Sequence, residues 1–264
     1  MKHKNNIDKS NSIIRKFLNN IGQFCLSDDF HKNTSIEKYS KDKGKTPKSW
    51  ININYKNYPR LTQISLKKAL PLQTPIENIL LSRRSKRLFN NHSITFEELS
   101  TILYFSSGIS TLNTDYNNSL RMYPSAGARY PLEIYVVVNK IKEIKKGIYH
   151  YNVKYNTLEL LELGNFQKQI YEITNQKMCK KAAITIIITA VFDRTRVKYN
   201  NRGYRYLFIE SGHLSQNLYL VSESLGLGCC TLGGFKDDQI NNLLDLNGIN
   251  EKTLYLAVIG KSNE

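Results

Sequence analysis

The sequence predicts an α+β domain built around one central sheet, and three observations carry that expectation. Two apolar runs, Leu132–Val138 (LEIYVVV) and Ala183–Val191 (AITIIITAV), read as strands covered on both faces. Arg205–Leu225 reads as a long helix, with Leu214, Leu218, Val221 and Leu225 on one face. Helices and strands alternate without a strict βαβ rhythm, which excludes a doubly wound parallel sheet.

In chain order, residues 1–70 form a basic arm and residues 71–264 the domain proper. The arm carries a short apolar patch at Ile13, Ile14, Phe17 and Leu18, read as a helix, then an extended stretch through a Lys/Gly/Pro-rich segment at Ser40–Ser49. Pro59, Pro71 and Pro75 punctuate its exit. Ile76, Ile79 and Leu80 start a short helix. Thr95-Phe-Glu-Glu98 has the form of a capping box, with Leu99, Ile102 and Leu103 following at helical spacing. After Leu132–Val138, the segments Gly147–Tyr151 and Leu158–Leu163 read as an antiparallel pair. Ala183–Val191 is expected mid-sheet, Gly226 and Gly228 end the long helix, and Thr253–Ile259 is a last strand.

Composition narrows the function. The 264 residues are 41% hydrophobic, with a mean hydropathy of −0.43. No apolar run approaches the ~20 residues of a spanning helix, and the first twenty residues lack the apolar core of a secretory signal. A cytoplasmic protein without membrane partners is expected. The 4 cysteines, Cys25, Cys179, Cys229 and Cys230, show no CxxC spacing, so zinc-ribbon, thioredoxin and disulfide-scaffold readings fall away. His3, His31, His92 and His150 form no ligand cluster, and no metal site is expected. Lys and Arg number 38 against 22 Asp and Glu, a net charge of +16. Residues 1–60 hold 13 basic against 5 acidic residues, a surplus of +8 and half of the total. Such a balance suits an acidic partner, nucleic acid or an anionic membrane, or simply reflects a Lys/Asn-rich bias. No zinc-finger spacing, aromatic RNP motif or long basic helix accompanies it, so nucleic acid is not expected as the partner.

Four segments offer chemistry. Ser82–Phe89 (SRRSKRLF) surrounds Ser85 with Arg83, Arg84, Lys86 and Arg87; it reads as a phosphate seat or as a solvated basic turn. Tyr123–Pro131 (YPSAGARYP) is a loop of small residues entering a central strand, either a close approach to a flat ligand or an ordinary strand entry. Leu227–Phe235 (LGCCTLGGF) is a second glycine-rich loop, neither GxGxxG nor a P-loop. Its Cys229–Cys230 pair reads as small buried residues. Asp193–Tyr199 (DRTRVKY) sets Lys198 beside Tyr199 after a sheet end, as a base with a phenolic partner or as a charged surface loop. Arg194, Arg196 and Arg202 would disfavour the lysine's ammonium form. Glu210 and His213 on the long helix read as structural, at a helix–helix contact.

Taken in order, RRSKRLF, YPSAGARYPLEIYVVV and KYNNRGYRYLFIESGHLSQNLYLVSESLGLG with GGF resemble the SagB-type dehydrogenase branch of the FMN-dependent nitroreductase superfamily, the thiazole/oxazole-forming peptide oxidases. The segments FHKNTSIEKYS and KNYPRLTQISL fit the same branch, and the likeness runs from about Phe30 to Gly260. The resemblance implies the nitroreductase fold, an intertwined homodimer and FMN at the subunit interfaces. It matches Arg83, Arg84, Ser85 and Arg87 to the grip on the FMN phosphate and ribityl chain. It matches Pro124, Ser125, Ala126 and Gly127 to a loop reaching the flavin ring from the partner subunit, Leu232, Gly233 and Gly234 to a loop along the ring, and Lys261 to a phosphate contact. Lys198 and Tyr199 match the Lys-Tyr pair assigned to catalysis in azoline oxidases. The implied activity is oxidation of thiazolines or oxazolines in a precursor peptide, beside an ATP-dependent cyclodehydratase. Two alternatives stand: an NAD(P)H-dependent nitroreductase or quinone reductase of the same fold, and a non-catalytic scaffold subunit of the biosynthetic complex.

Overall fold

A computed structural model of the chain describes residues 24–36, 55–111 and 119–263. The arm's expected helix near Ile13–Leu18 and its Lys/Gly/Pro-rich stretch lie outside these. A short helix, α1 (Phe24–Asn33), comes first. It is tied to the body of the protein by Arg202, whose Nη1 donates to the Thr34 carbonyl, and by Arg205, whose Nε donates to Thr34 Oγ1 at 2.6 Å.

The strands are β1 (Gln63–Ser65), β2 (Ile109–Thr111), β3 (Leu120–Arg121), β4 (Leu132–Val138), β5 (Gly147–Asn152), β6 (Thr157–Leu163), β7 (Ile184–Val191), β8 (Gly228–Leu232) and β9 (Glu251–Gly260). β2 and β3 form a small ribbon, and the others one seven-stranded sheet in the order β1-β6-β5-β4-β7-β9-β8. Every neighbouring pair in that sheet is antiparallel. β4 and β7 lie at its middle and β4 is buried along its whole length. Alternation along each strand divides the apolar residues between two cores. Leu132, Ile134, Val136 and Val138 of β4 join Ile184, Ile186 and Ile188 of β7 on one face. Tyr135, Val137 and Ile187 point to the other.

The first face is covered by α3 (Phe96–Ser107) and α6 (Gly203–Ser224). α3 begins in the expected capping box: Thr95 N–H donates to Glu98 Oε2 at 2.7 Å, and Glu98 N–H donates to Thr95 Oγ1 at 3.1 Å. Leu207, Leu214, Leu218 and Val221 of α6 are buried against the sheet. Its end is a Schellman turn: Gly226 takes φ +66°, its N–H donates to Glu223, and the Leu227 N–H reaches back to Ser222 at 2.8 Å. The second face is covered by α4 (Gln167–Thr174) and α7 (Asp237–Leu243), which contribute Ile170, Ile173 and Ile240. α2 (Ile76–Ser82) and α5 (Asp193–Tyr199) complete the set.

Two segments depart from the sequence reading. Asp193–Tyr199, read as a loop, is helix α5: its Arg194 is drawn inward to Glu133 of β4 and Thr195 is fully buried, so tertiary contacts stabilise a helix without cap signals. Leu227–Phe235, read as a glycine-rich loop, is mostly the edge strand β8. Gly228 is required there by close packing, since a Cβ would lie 2.8 Å from Ser262 Cβ and 3.0 Å from the Phe89 ring. β1 was not anticipated within the arm; it pairs with β6, and Tyr55, Ile64 and Leu66 pack on the first core.

One end of the second face is polar. His150 of β5 is fully buried between Glu159 of β6 (Nδ1 to Oε2, 2.7 Å) and Glu133 of β4 (Nε2 to Oε2, 3.0 Å). Burial pushes the imidazole down, but hydrogen bonds and charge from both carboxylates outweigh it and hold it above its usual range. Beside them, Lys56 pairs with Glu251 at 2.7 Å, and Glu251 also accepts from Tyr135 and Thr189.

Candidate active site

The loop from Tyr123 to Pro131 is held in an unusual backbone conformation. Gly127 has φ +63°, Ala128 +52° and Tyr130 +45°. Left-handed backbone costs a non-glycine residue roughly 1–2 kcal/mol, so this loop depends on its contacts. Ser125 Oγ accepts the Tyr130 N–H at 2.9 Å, and the Ala128 N–H donates to Ser125 O at 3.0 Å. The Tyr130 hydroxyl accepts from Arg121 N–H, and Arg129 Nε donates to the Arg194 carbonyl at 2.7 Å. That last bond joins the loop to α5.

The join brings together two of the segments singled out from sequence. A Cβ placed on Gly127 would lie 2.7 Å from Lys198 Nζ and 2.6 Å from Tyr199 Oη. Only a residue without a side chain lets the loop backbone meet the lysine and the tyrosine. Lys198 Nζ sits 5.5 Å from the Tyr199 ring centroid, and that ring packs edge-on against Tyr206 at 5.0 Å. Lys198 is exposed, as are Pro124 and Gly127, while Ser125, Ala126 and Tyr199 are half-buried. The three arginines expected to crowd Lys198 are engaged elsewhere: Arg194 with Glu133, Arg196 with Asp193 at 3.6 Å, and Arg202 with Thr34.

Glu210 corrects the sequence reading. It lies under the loop rather than at a helix–helix contact: Ser125 Oγ donates to its Oε2 at 2.8 Å. The carboxyl is buried, and burial pushes its pKa up to about 7 against the pull of the Ser125 hydroxyl, the Arg121 charge and a backbone hydrogen bond from Ala126. His213, one turn on, is exposed. The signal for Glu210 in the sequence was a carboxylate on the same side as Leu207 and Leu214, the buried face of α6.

A second locus gathers around Tyr219, nine residues further along α6 and so roughly 14 Å along its axis. Arg83 lays its guanidinium over the Tyr219 ring at 5.1 Å, and Ser85 Oγ is 3.0 Å from Tyr219 Oη. Tyr219 Oη also accepts the Thr231 N–H at 2.9 Å, and Tyr255 Oη donates to Thr231 Oγ1 at 2.8 Å. Leu232 ends β8 buried, and Gly233 and Gly234 are exposed beyond it. A Cβ on Gly233 would meet only the Tyr255 ring, at 3.7 Å, and one on Gly234 would meet nothing within 4 Å. A guanidinium, several hydroxyls and an open glycine backbone suit a phosphate on a polyhydroxyl chain beside a flat ring. The remaining candidates are otherwise engaged. Arg84 Nη1 donates to the carbonyls of Leu81 and Arg83, and Arg87 Nη1 to that of Ser85. Lys261 forms an ion pair with Glu98 at 2.6 Å. Cys179, Cys229 and Cys230 are buried. Among the described residues no cluster of His, Cys, Asp and Glu could hold a metal ion, and no helix is long and apolar enough to cross a membrane.

The chain belongs to the nitroreductase family, whose pattern matches residues 80–261. Among its relatives, MJ1384 of Methanocaldococcus jannaschii, named as a nitroreductase, is 36% identical over 190 residues, 72% of this chain and 92% of that protein. The trifolitoxin-processing protein TfxB of Rhizobium leguminosarum bv. trifolii is 30% identical over 52% of this chain and 38% of its own. The microcin B17-processing protein McbC of Escherichia coli is 26% identical over 54% of this chain and 55% of its own. The chain thus matches about half or less of the length of the two peptide-processing relatives. A crystal structure from Anabaena variabilis, named as a nitroreductase, superposes with TM-score 0.72 and 26% identity, covering 89% of this chain and 47% of that one. The E. coli microcin synthetase McbBCD complex with truncated pro-MccB17 bound shares the fold at TM-score 0.60 and 18% identity, over 90% of this chain and 92% of that one. TfxB and McbC support the resemblance to the SagB-type branch.

Proposed function

We propose that the protein is an FMN-dependent dehydrogenase that oxidises thiazolines or oxazolines in a precursor peptide to thiazoles or oxazoles. The observation that carries this reading is the meeting of Lys198 Nζ and Tyr199 Oη with the Gly127 backbone. Arg83, Arg84, Ser85 and Arg87 would hold the phosphate and ribityl chain. Leu232, Gly233 and Gly234 would flank the ring, and Lys261 would reach the phosphate on leaving Glu98. Pro124, Ser125, Ala126 and Gly127 would approach the ring from the partner chain of a homodimer. Exposed Leu80 and Leu81 on α2 and Phe208 and Ile209 on α6 offer apolar surface for such a partner.

Bound flavin supplies an acceptor for a hydride and its electron pair. Aromatising an azoline removes that hydride from one ring carbon and a proton from another ring atom. In this proposal Lys198 Nζ takes the proton and the Tyr199 hydroxyl orients the lysine and passes the proton on. The Gly127 backbone seats both groups. TfxB and McbC are named for processing trifolitoxin and microcin B17, which supports a peptide substrate, and the McbBCD assembly supports a partner among the ATP-dependent cyclodehydratases. A cytoplasmic location follows from that role. The name of MJ1384, at 36% identity, favours a second reading: reduction of nitroaromatics or quinones by NAD(P)H on the same fold.

Purified protein tests the proposal. It is expected to be yellow, to release FMN, and to remove two hydrogens per ring from an azoline peptide by mass spectrometry. Arg87→Ala is expected to weaken FMN binding by ~1.5–3 kcal/mol, the worth of a charge-assisted bond. Rapid NAD(P)H oxidation on nitroaromatics with no mass loss from the peptide selects the second reading. A colourless protein that binds no FMN contradicts both and leaves the scaffold role.

A further inference from the structure

Glu210 is a buried carboxyl with one oxygen matched and one not. Oε2 accepts from Ser125 Oγ at 2.8 Å. Oε1 is buried with no hydrogen-bond partner. The charged and titratable groups facing it are the Arg121 guanidinium at the end of β3 and the Tyr123 phenol just beyond. From its own helix, His213 is exposed to solvent.

The groups that Glu210 holds stabilise a loop that its own sequence does not. Ala128 and Tyr130 sit at positive φ, a conformation that persists only where surrounding contacts over-determine it. Ser125 is the hub of those contacts. Its hydroxyl donates to Glu210, its Oγ accepts the Tyr130 N–H, and its carbonyl accepts the Ala128 N–H. The apex between them, Gly127, is the backbone on which Lys198 and Tyr199 rest. Neutralising or removing a partner of a buried hydrogen bond exposes the remaining groups to the cost of burial without a partner.

We propose that Glu210 is the positioning residue of the Lys198–Tyr199 centre, fixing the strained loop through Ser125 so that Gly127 seats the lysine amine and the tyrosine hydroxyl. Glu210 acts through the loop and takes no part in the chemical step. A catalytic role for the pair rests on the function proposed above; the positioning itself does not, and it is measured without turnover.

Hydrogen–deuterium exchange followed by mass spectrometry, on the full-length wild type, Glu210→Gln, Glu210→Ala and Ser125→Ala, tests it. Glu210→Ala and Ser125→Ala are expected to speed exchange in residues 124–130 about tenfold, the effect of one lost buried bond, with β7 unchanged. Glu210→Gln keeps a side-chain oxygen for Ser125 and is expected to restore the wild-type rate there. Unchanged exchange in 124–130 of a folded Glu210→Ala, or uniform acceleration that includes β7, overturns the proposal. If Glu210→Ala does not fold, Glu210→Met, which fills the same space without an acceptor, gives the same comparison. In azoline turnover, Glu210→Ala is expected to lower kcat in the wild-type background and to add no loss in Lys198→Ala. Independent losses that multiply contradict positioning. Full turnover in Lys198→Ala would remove Lys198 as the proton acceptor while leaving the exchange result standing.

Discussion

Gly127 is where two demands on one residue coincide: a left-handed φ of +63° and a backbone open to Lys198 Nζ and Tyr199 Oη. Replacing it by alanine separates fold from function. The strain costs ~1–2 kcal/mol, and the clashing atoms are the far ends of flexible side chains, which can swing away. Gly127→Ala is therefore expected to fold, with a Tm lowered by several degrees, and to lose most of its turnover. Normal turnover in Gly127→Ala would show that the lysine and tyrosine work elsewhere. Glu210, in turn, gives the site a pH signature. Its pKa is raised in the folded chain, from the ordinary 4.5 to about 7. A raised carboxyl contributes its stabilisation fully below its unfolded pKa and loses it as pH climbs through the folded one. Glu210→Gln is thus expected to gain up to about 3 kcal/mol on the wild type between pH 4.5 and 7, read from denaturant unfolding across that range. A parallel pH dependence in both proteins would count against this account of the carboxyl.

Among the elements, legibility in the sequence followed how much of the pattern was local. β4 and β7 were readable as continuous apolar runs buried on both faces, α6 because it buries a long periodic stripe, and the α3 capping box because its two bonds lie within four residues. α4, α5 and α7 are only seven or eight residues long, too short for an apolar period to stand out from the surrounding chain. α5 matters most, because it carries Lys198 and Tyr199. Its order comes from Arg194, which reaches Glu133 on β4, and Glu133 in turn holds His150. His150 is held above its usual range of about 6.5 by two carboxylates that are themselves held low. The raised imidazole stabilises the fold below its unfolded pKa and loses that effect as pH rises through the folded value. The lowered carboxylates contribute above their ordinary 4.5 and lose their effect on acidification. His150→Ala leaves Glu159 without its cation and Glu133 with Arg194 alone, and is expected to cost roughly 3–5 kcal/mol, the deficit being largest between pH 4.5 and 6.5 and shrinking on either side. A deficit under 1 kcal/mol at pH 5.5 would mean that the cluster is not ion-paired.

Across the whole molecule, the motifs that the sequence offered separately fall into two loci along α6. The lysine–tyrosine pair and the small-residue loop meet at one; Arg83, Ser85 and the glycines after β8 gather near the other. No periodic or spacing signal could have placed Gly127 against Lys198, because 71 residues separate them in the chain; the fold alone does so. In the proposed role the net charge of +16 would draw in an acidic partner or peptide, an attraction screened within about 8–10 Å at 0.1–0.15 M salt. What unites these features is the claim that Lys198, seated on Gly127, is the proton acceptor of a flavin-dependent azoline oxidation. The most direct measurement is turnover of an azoline peptide by Lys198→Ala, read as loss of two hydrogens per ring, alongside its flavin content. The variant is expected to remain folded and yellow and to fall by about 10²–10⁴-fold, the usual worth of a general base. Wild-type turnover in a yellow Lys198→Ala would contradict the claim.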